Sequence, residues 1–433
     1  MGAAEASAQA IPPDEYEARR RTLLSRFTDG IVLLHARSTA ADLTDHGFKQ
    51  DAAFFYFSGL AHQEAAVLAL DGTTGQEILF VPEPPRSFGM SVDGVGLVPG
   101  ATTSFDEVQH WRELVPFLRK RLASEARKLY LDEARRPVAP GNPDGMLPMA
   151  GERNLWWRSV SEALPDAELV SAALVIREMR WKKSAAEIAA LREVARASSA
   201  ALLTGMRAVD PGVRQRVTEA AVVAGCIEAG AEGPSFWPWT MSGPNAHAAT
   251  LVRSFYDYEH LNRAMRHGEL VRMDIGCDWY HYEGDVGRTV PVSGSFSAAQ
   301  AEAWDLLITA YRAGLASIRA GVSRSTLAEA SREAARGRAP SLTSEHAREL
   351  ARLMVDSEDD AWHVHGVGLE AGEERMSVLV DGAVIAYEPG FSVGEHAYYL
   401  EDMILVTATG HEILTKGLPY TAEEISEAMS GRR

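Results

Sequence analysis

The apolar positions of this chain recur in two rhythms, a helical repeat and a strand alternation, and the two take turns along its first third. EYEARRRTLLSRFTD (15–29) has the helical repeat and predicts an opening amphipathic helix. GIVLLHA (30–36) is a short unbroken apolar run and predicts a buried strand. DAAFFYFSGL (51–60), AAVLALDG (65–72) and QEILFVP (76–82) predict successive strands, with a glycine turn between the last two. SFDEVQHWRELVPFLRKRL (104–122) is helical in period, and KLYLD (128–132) predicts another strand. Strands alternating with helices imply an α/β domain over residues 14–175, behind a disordered lead-in at 1–13. RRPVAPGNPDGMLPM (135–149) is too rich in proline and glycine for either rhythm and reads as a surface excursion.

A second unit spans residues 176–433. MRWKKSAAEIAALREVARASSAALLTGM (179–206) sustains the helical repeat, with Ile188, Leu191, Ala195 and Leu202 on one stripe and the small Ser198 among them. Ser184 followed three positions later by Glu187 is a capping box. A helix near 214–229, an SGPN turn (242–245) and a strand pair holding two aspartates come next. Helices are predicted near 297–319, 324–337 and 343–355. SVLVDGAVIAYEPGF (377–391) and AYYLEDMILVTATGHEIL (397–414) read as strands, with a hairpin turn at ATG.

Composition narrows the function. The 433 residues are 46% hydrophobic and 24% charged, as in an ordinary globular protein of two or three domains. A net charge of −17 lacks the basic footprint of nucleic-acid binding. No run reaches the ~18 apolar residues that suggest a bilayer span, so neither nucleic acid nor a membrane is expected as a partner. MGAAEASAQAIPPDE has neither a basic start nor an apolar stretch. The expected location is the cytoplasm, with a trimmed export signal as the alternative. Cys226 and Cys277 can build neither a disulfide framework nor a thiolate cage, and they read as small buried hydrophobes.

The chemistry lies in acids set inside apolar strands. MDIGCDWYHYEGDVGRT (273–289) holds Asp274 and Asp285, IAYEPG holds Glu388, and YYLED holds Glu401. WHVHGVGLE places His363 and His365 ahead of a glycine pair. A buried, unpartnered carboxylate either costs several kcal/mol or shifts its pKa until it is neutral. Four acids and an imidazole in such settings require compensation, which two divalent cations supply through oxygen-rich ligands and open positions for water and substrate. Any one of these residues alone would read as an ordinary strand or surface group. Their joint order, D-x10-D, then HG, EPG and LED, is specific.

On these motifs the chain resembles the pita-bread metallopeptidases, the family of aminopeptidase P, prolidase and methionine aminopeptidase. REMRWKKSAAEIAALR (177–192), SGPN and DVGRTVPVSGSF (285–296) match that family as well. GFKQDAAFFYFSGL (47–60) resembles the N-terminal domain found in aminopeptidase P and prolidase. The resemblance implies an α/β N-terminal domain followed by an α+β pita-bread catalytic domain. It implies two divalent ions, Mn²⁺ first, with Co²⁺ or Zn²⁺ as alternatives. The ligands carried over are Asp274, Asp285, His365, Glu388 and Glu401, with Asp285 and Glu401 bridging, Asp274 on one ion, and His365 with Glu388 on the other. The implied reaction is hydrolysis of the bond between an N-terminal residue and proline by a hydroxide shared between the ions, with Glu388 as general base. The implied assembly is a homodimer or larger.

Three positions depart from the family pattern. Gly372 stands seven positions after His365, and Thr250 eight positions after Ser242, where relatives carry histidines. Tyr399 stands where they carry an arginine two positions before the last glutamate. His363 is the candidate to substitute in catalysis, and His247 and Tyr399 are the candidates for substrate binding. The alternatives are an Xaa-Pro dipeptidase, which needs a group to capture the substrate's C-terminal carboxylate, a diverged enzyme acting on a non-peptide C–N bond, and a non-catalytic binding protein that keeps the fold. FWPWT (236–240) reads equally as pocket lining or core, NLWWRSV (154–160) as packing, and DSEDD (356–360) as a solvated loop. GVGLEAGEE lacks the strand-to-helix setting and the lysine of a phosphate loop.

Overall fold

A computed structural model describes residues 11–37, 48–83, 86–87, 90–91, 96–124, 128–132, 152–247, 262–373 and 376–431. The chain divides into two compact units, residues 1–180 and 181–433. The first holds a six-stranded sheet in the order Glu107–His110, Gln76–Val81, Val67–Asp71, Gly30–His35, Lys128–Leu131, Glu168–Ser171. Gly30–His35 runs antiparallel to Val67–Asp71 and parallel to Lys128–Leu131. Ile31, Leu33, Ile78, Phe80 and Leu129 form its core, and Trp156 and Trp157 pack against them, in keeping with the packing reading of NLWWRSV.

Two elements of this unit differ from expectation. Ala52–Ser58 is a helix, not a strand. The Asp51 carboxylate caps it by accepting from the N–H groups of Ala53 and Phe54 at 2.9 and 3.0 Å, and Gly59 closes it at φ 69°. All seven of its residues are buried. A helix buried on every side shows no apolar stripe, so its aromatic run mimics a strand. The predicted helix over 104–122 is helical only from Trp111 onward, because Glu107–His110 pairs with Gln76–Val81 as a parallel strand. Sheet pairing here overrides local periodicity. The excursion at 135–149, Thr250 and the lead-in through residue 10 lie outside the described residues.

In the second unit the capping box of Ser184 and Glu187 opens the helix Ala185–Ala208. Gln215–Glu228, Ala298–Ser317, Arg324–Arg338 and Glu345–Val355 also fall near their predicted positions. A further helix, Ala422–Ser430, lies outside the predicted elements, although Thr421 and Glu424 form a capping box at its start. The predicted strand at 377–391 begins only at Val384, after a turn in which Gly382 takes φ 84°. The main sheet is antiparallel, in the order Trp239–Ser242, Leu270–Ile275, Val286–Pro291, His396–Val406, Val384–Val393, Trp362–Gly366. His411–Ile413 pairs with the end of His396–Val406 through the ATG turn. Helix residues Trp304, Leu307 and Tyr311 share one core with the sheet residues Met273, Leu400 and Ile404.

A smaller sheet joins Tyr282–Glu283, Cys277–Trp279 and Gly233–Pro234. Its hairpin turns through Tyr280 and His281, both left-handed at φ 50° and 64°. The two cysteines correct the sequence expectation: Cys226 and Cys277 are joined as a disulfide, with Cα atoms 5.5 Å apart. They are 51 positions apart in sequence. Only the packing of Gln215–Glu228 beside the small sheet brings them together, and spacing alone carries no trace of that.

Behind the main sheet sits a fully buried ion pair, Arg288 with Asp402, at 2.9 Å. Arg288 also donates to the carbonyls of Glu401 and Pro419, while Tyr311, Thr415 and Tyr420 donate to Asp402. Removing one partner strands the other charge in the core. Asp402→Ala is therefore expected to lower unfolding free energy by about 3–5 kcal/mol, and urea denaturation of the two proteins measures the difference.

Candidate metal centre

Strand register alone gathers the site. Asp274 pairs with Gly287, and Gly287 with Glu401. The register from Tyr387↔Asp402 to Gly390↔Tyr399 sets Glu388 across from Glu401, and Glu388 pairs with His363. Asp274, Gly287, Glu401, Glu388 and His363 thus form one row across five strands. Directly opposed residues share a face, as do residues two apart along a strand. Arg272, Asp285, His365 and Tyr399 therefore join the same face. Gly287 lets the Tyr399 ring lie over the centre of the row, since a Cβ there would be 2.2 Å from that ring.

The groups are close and buried. Asp274, Asp285 and His365 are at most 8% exposed, and Glu401 is fully buried. His365 Nε2 lies 3.2 Å from Glu388 Oε1, 3.6 Å from Asp285 Oδ2 and 4.0 Å from Glu401 Oε1. His365 Nδ1 donates to the Gly366 carbonyl at 2.9 Å, which points Nε2 at the carboxylates. His363 Nδ1 bonds Glu388 Oε1. The Tyr399 hydroxyl sits 2.8 Å from both Glu388 Oε2 and Glu401 Oε2. Arg272 bonds Asp274 Oδ2 at 3.0 Å, and its guanidinium lies 3.8 Å from the centre of the Tyr399 ring.

Burial drives the electrostatics. It pushes Asp285 and Glu401 well above the usual carboxylate range, and repulsion from neighbouring carboxylates adds to it. Asp274 also rises, against the opposing field of Arg272. Glu388 goes the other way. Burial would raise it, but hydrogen bonds from His363 and His365 outweigh that and hold it ionised. Burial opposes charge on His365, yet the bond to Glu388 raises its pKa.

Comparison with known proteins places this geometry. Residues 189–408 match the model of metallopeptidase family M24, and residues 16–130 match that of the aminopeptidase P N-terminal domain. The chain belongs to metallopeptidase family M24. The Xaa-Pro aminopeptidase of Escherichia coli (strain K12) is 25% identical over 460 residues, covering 98% of this chain and 99% of its own. A Xaa-Pro dipeptidase from Pyrococcus horikoshii is 28% identical over 254 residues, covering 56% of this chain and 64% of its own. Among solved structures, Zn-substituted E. coli aminopeptidase P in complex with product matches with a TM-score of 0.77 at 24% identity, covering 98% of this chain and 99% of that one. This M24 chain therefore has the aminopeptidase P fold.

The donor set of this M24 chain fits divalent metal. Asp285 Oδ1 and Glu401 Oε1 are buried acceptors that no donor reaches among the described residues. His363, His365 and Glu388 form one convergent group, and Asp285, His365 and Glu401 a second. Such orphaned acceptors are what a cation satisfies. His363 and Tyr399 join the site; His247 is not brought into either group. It is half-buried, and its field adds a little to the burial that lowers the pKa of His396. Gly372 is exposed, with nothing within 4 Å of an added Cβ. Sequence reasoning missed Arg272. Its one signal was its position two residues before Asp274, on the same face of the strand. Trp237 is exposed, and its indole donates to Glu219 at 2.7 Å, so FWPWT is not wholly core. Asp356 and Glu358 to Asp360 are exposed, as expected of a solvated loop.

Two outcomes follow from these contacts. Without metal, folded Asp285 and Glu401 hold protons that the unfolded chain has lost. Their contribution to stability is present below about pH 4 and is lost as pH rises through their raised pKa values. Glu388 contributes oppositely, above the unfolded range, and that share is lost as pH falls. Chelated protein should therefore lose thermal stability as pH rises above about 4, and divalent ions should restore it; melting curves with and without metal measure this. Tyr399→Phe removes the hydroxyl that orients Glu388 and Glu401. It should weaken metal binding by about 10–100-fold, read by competition with a chromogenic chelator.

Proposed function

We propose that this M24 enzyme is an Xaa-Pro aminopeptidase, releasing an N-terminal residue that precedes proline. The observation that carries the reading is the convergence of Asp274, Asp285, His365, Glu388 and Glu401 on one sheet face, with orphaned buried oxygens on Asp285 and Glu401. The names of the full-length relatives support the same substrate class. The five residues would hold two divalent ions, with Asp285 and Glu401 shared, Asp274 on one ion, and His365 and Glu388 on the other. Oxygen-rich ligands favour Mn²⁺, with Co²⁺ or Zn²⁺ as substitutes. When bound, the ions supply a water of lowered pKa and polarise a peptide carbonyl.

The chain's own residues supply the rest. Glu388, kept ionised by the hydrogen bond from His363, takes the proton of the water and holds it for the leaving nitrogen. His363 keeps Glu388 oriented through Nδ1, while its own Nε2 is buried without a partner among the described residues. Tyr399 fixes the free oxygens of Glu388 and Glu401. A cavity of about 300 Å³ opens beside the row, lined by Arg272, Gly390, Phe391, Ser392, Tyr398 and Tyr399. Proline offers no N–H to recognise and a fixed φ, so a site walled by aromatic rings selects it by shape. The family resemblance extends the proposal to a homodimer or larger assembly, checked by sedimentation.

Gly372 and Tyr399, where relatives carry histidine and arginine, favour a second reading: the same metals acting on a non-peptide C–N bond. One experiment separates the readings. Chelator-stripped protein is reloaded with Mn²⁺, Co²⁺ or Zn²⁺ and given Xaa-Pro dipeptides and longer Xaa-Pro peptides. Metal-dependent release of the first residue from the longer peptides is expected. Asp285→Asn should lose metal and activity together, and near-normal turnover with both ions retained would overturn the assignment. Cleavage of dipeptides alone would make the enzyme a dipeptidase. No cleavage with both ions bound would favour the second reading.

A further inference from the structure

The first unit carries a buried cluster outside the candidate centre. His35 ends the strand Gly30–His35, and Asp132 directly follows Lys128–Leu131. These strands are parallel neighbours, so both residues stand at the same edge of the sheet. Asp51 completes the group from the start of the helix Ala52–Ser58, its carboxylate fixed by the N–H groups of Ala53 and Phe54. One ligand atom from each of the three lies within 4.8 Å of the others. His35 is 5% exposed and Asp132 8%.

The tautomer of His35 shows what the cluster lacks. Its Nδ1 lies 3.2 Å from the Ala36 carbonyl. A carbonyl can only accept, so Nδ1 carries the hydrogen. Nε2 is buried and has no hydrogen-bond partner among the described residues. With Nδ1 hydrogen-bonded to that carbonyl, Nε2 is the ring atom left for a ligand. His365 likewise sets its Nδ1 on the next residue's carbonyl, which leaves its Nε2 for the carboxylates of the M24 centre. This is the usual outer support of a metal-bound imidazole.

We infer that His35, Asp51 and Asp132 bind one first-row divalent cation of the Zn²⁺ or Mn²⁺ type, separate from the M24 centre. One imidazole and two carboxylates suit such ions. The ion would join two strand ends to the capped start of a helix, a role in stability with no part in turnover.

Counting ions tests this independently of the peptidase reading. Full-length protein and His35→Gln are dialysed against buffered Zn²⁺, and bound metal per chain is measured by mass spectrometry. His35→Gln is expected to hold one ion fewer, to melt at a lower temperature only when Zn²⁺ is present, and to keep its turnover. Asp132→Asn is the second variant, decisive if His35→Gln fails to fold by circular dichroism. Co²⁺-loaded wild type should absorb more strongly in the visible than either variant, which retains only the absorption of the M24 centre. Equal ion counts in wild type and a folded variant would overturn the site, whatever the peptidase assay gives. Loss of the M24 ions in Asp285→Asn with the His35-dependent ion retained would support it.

Discussion

Like-charge crowding on one face of a buried sheet governs this protein. Strand pairing sets Asp274, Glu401 and Glu388 in a single row, with Asp285 one pleat away. Among the described residues, nothing neutralises all four. Arg272 answers Asp274, and His363 with His365 answers Glu388, but Asp285 and Glu401 are left repelling each other in a dry setting. Near neutral pH that arrangement has two resolutions, protons or cations, and only cations leave the carboxylates ionised.

The back of the sheet makes this tolerable. Arg288 pins the backbone of Glu401 from behind and is itself held by Asp402. Asp402 is in turn held by three donors from two other segments, Tyr311 of Ala298–Ser317 and Thr415 and Tyr420 of the loop before Ala422–Ser430. One face of the sheet carries net negative charge, and the adjacent strand positions carry a balanced, fully hydrogen-bonded pair. The second holds the register on which the first depends. A slip of one residue would turn the ligands toward the core and the ion pair toward the cavity.

How much of this was legible in the sequence follows from range. Asp274, Asp285, His365, Glu388 and Glu401 stood out because an acid inside an apolar strand is rare without a reason, and because their order formed a recognisable set. Helix starts such as Ser184 and Glu187 were legible because capping is local. Ala52–Ser58 was not, since its evidence lay in Asp51 and Gly59 at its ends and its aromatic run gave no stripe. Arg272 passed as a strand residue, and its role exists only through Asp274 and the Tyr399 ring beside it. The Cys226–Cys277 link and the grouping of His35 with Asp51 and Asp132 depend wholly on tertiary packing.

The hairpin between the two aspartates is turned by Tyr280 and His281 in left-handed backbone, where Asn-Gly is the common solution. Each such residue costs roughly 1–2 kcal/mol relative to glycine. The chain thus keeps a suboptimal segment between two of its candidate ligands. The rings there pack as well as turn: Tyr280 lies edge-on to Trp279 with centroids 4.5 Å apart and His281 is buried, so a glycine pair would relieve the backbone but give up these contacts.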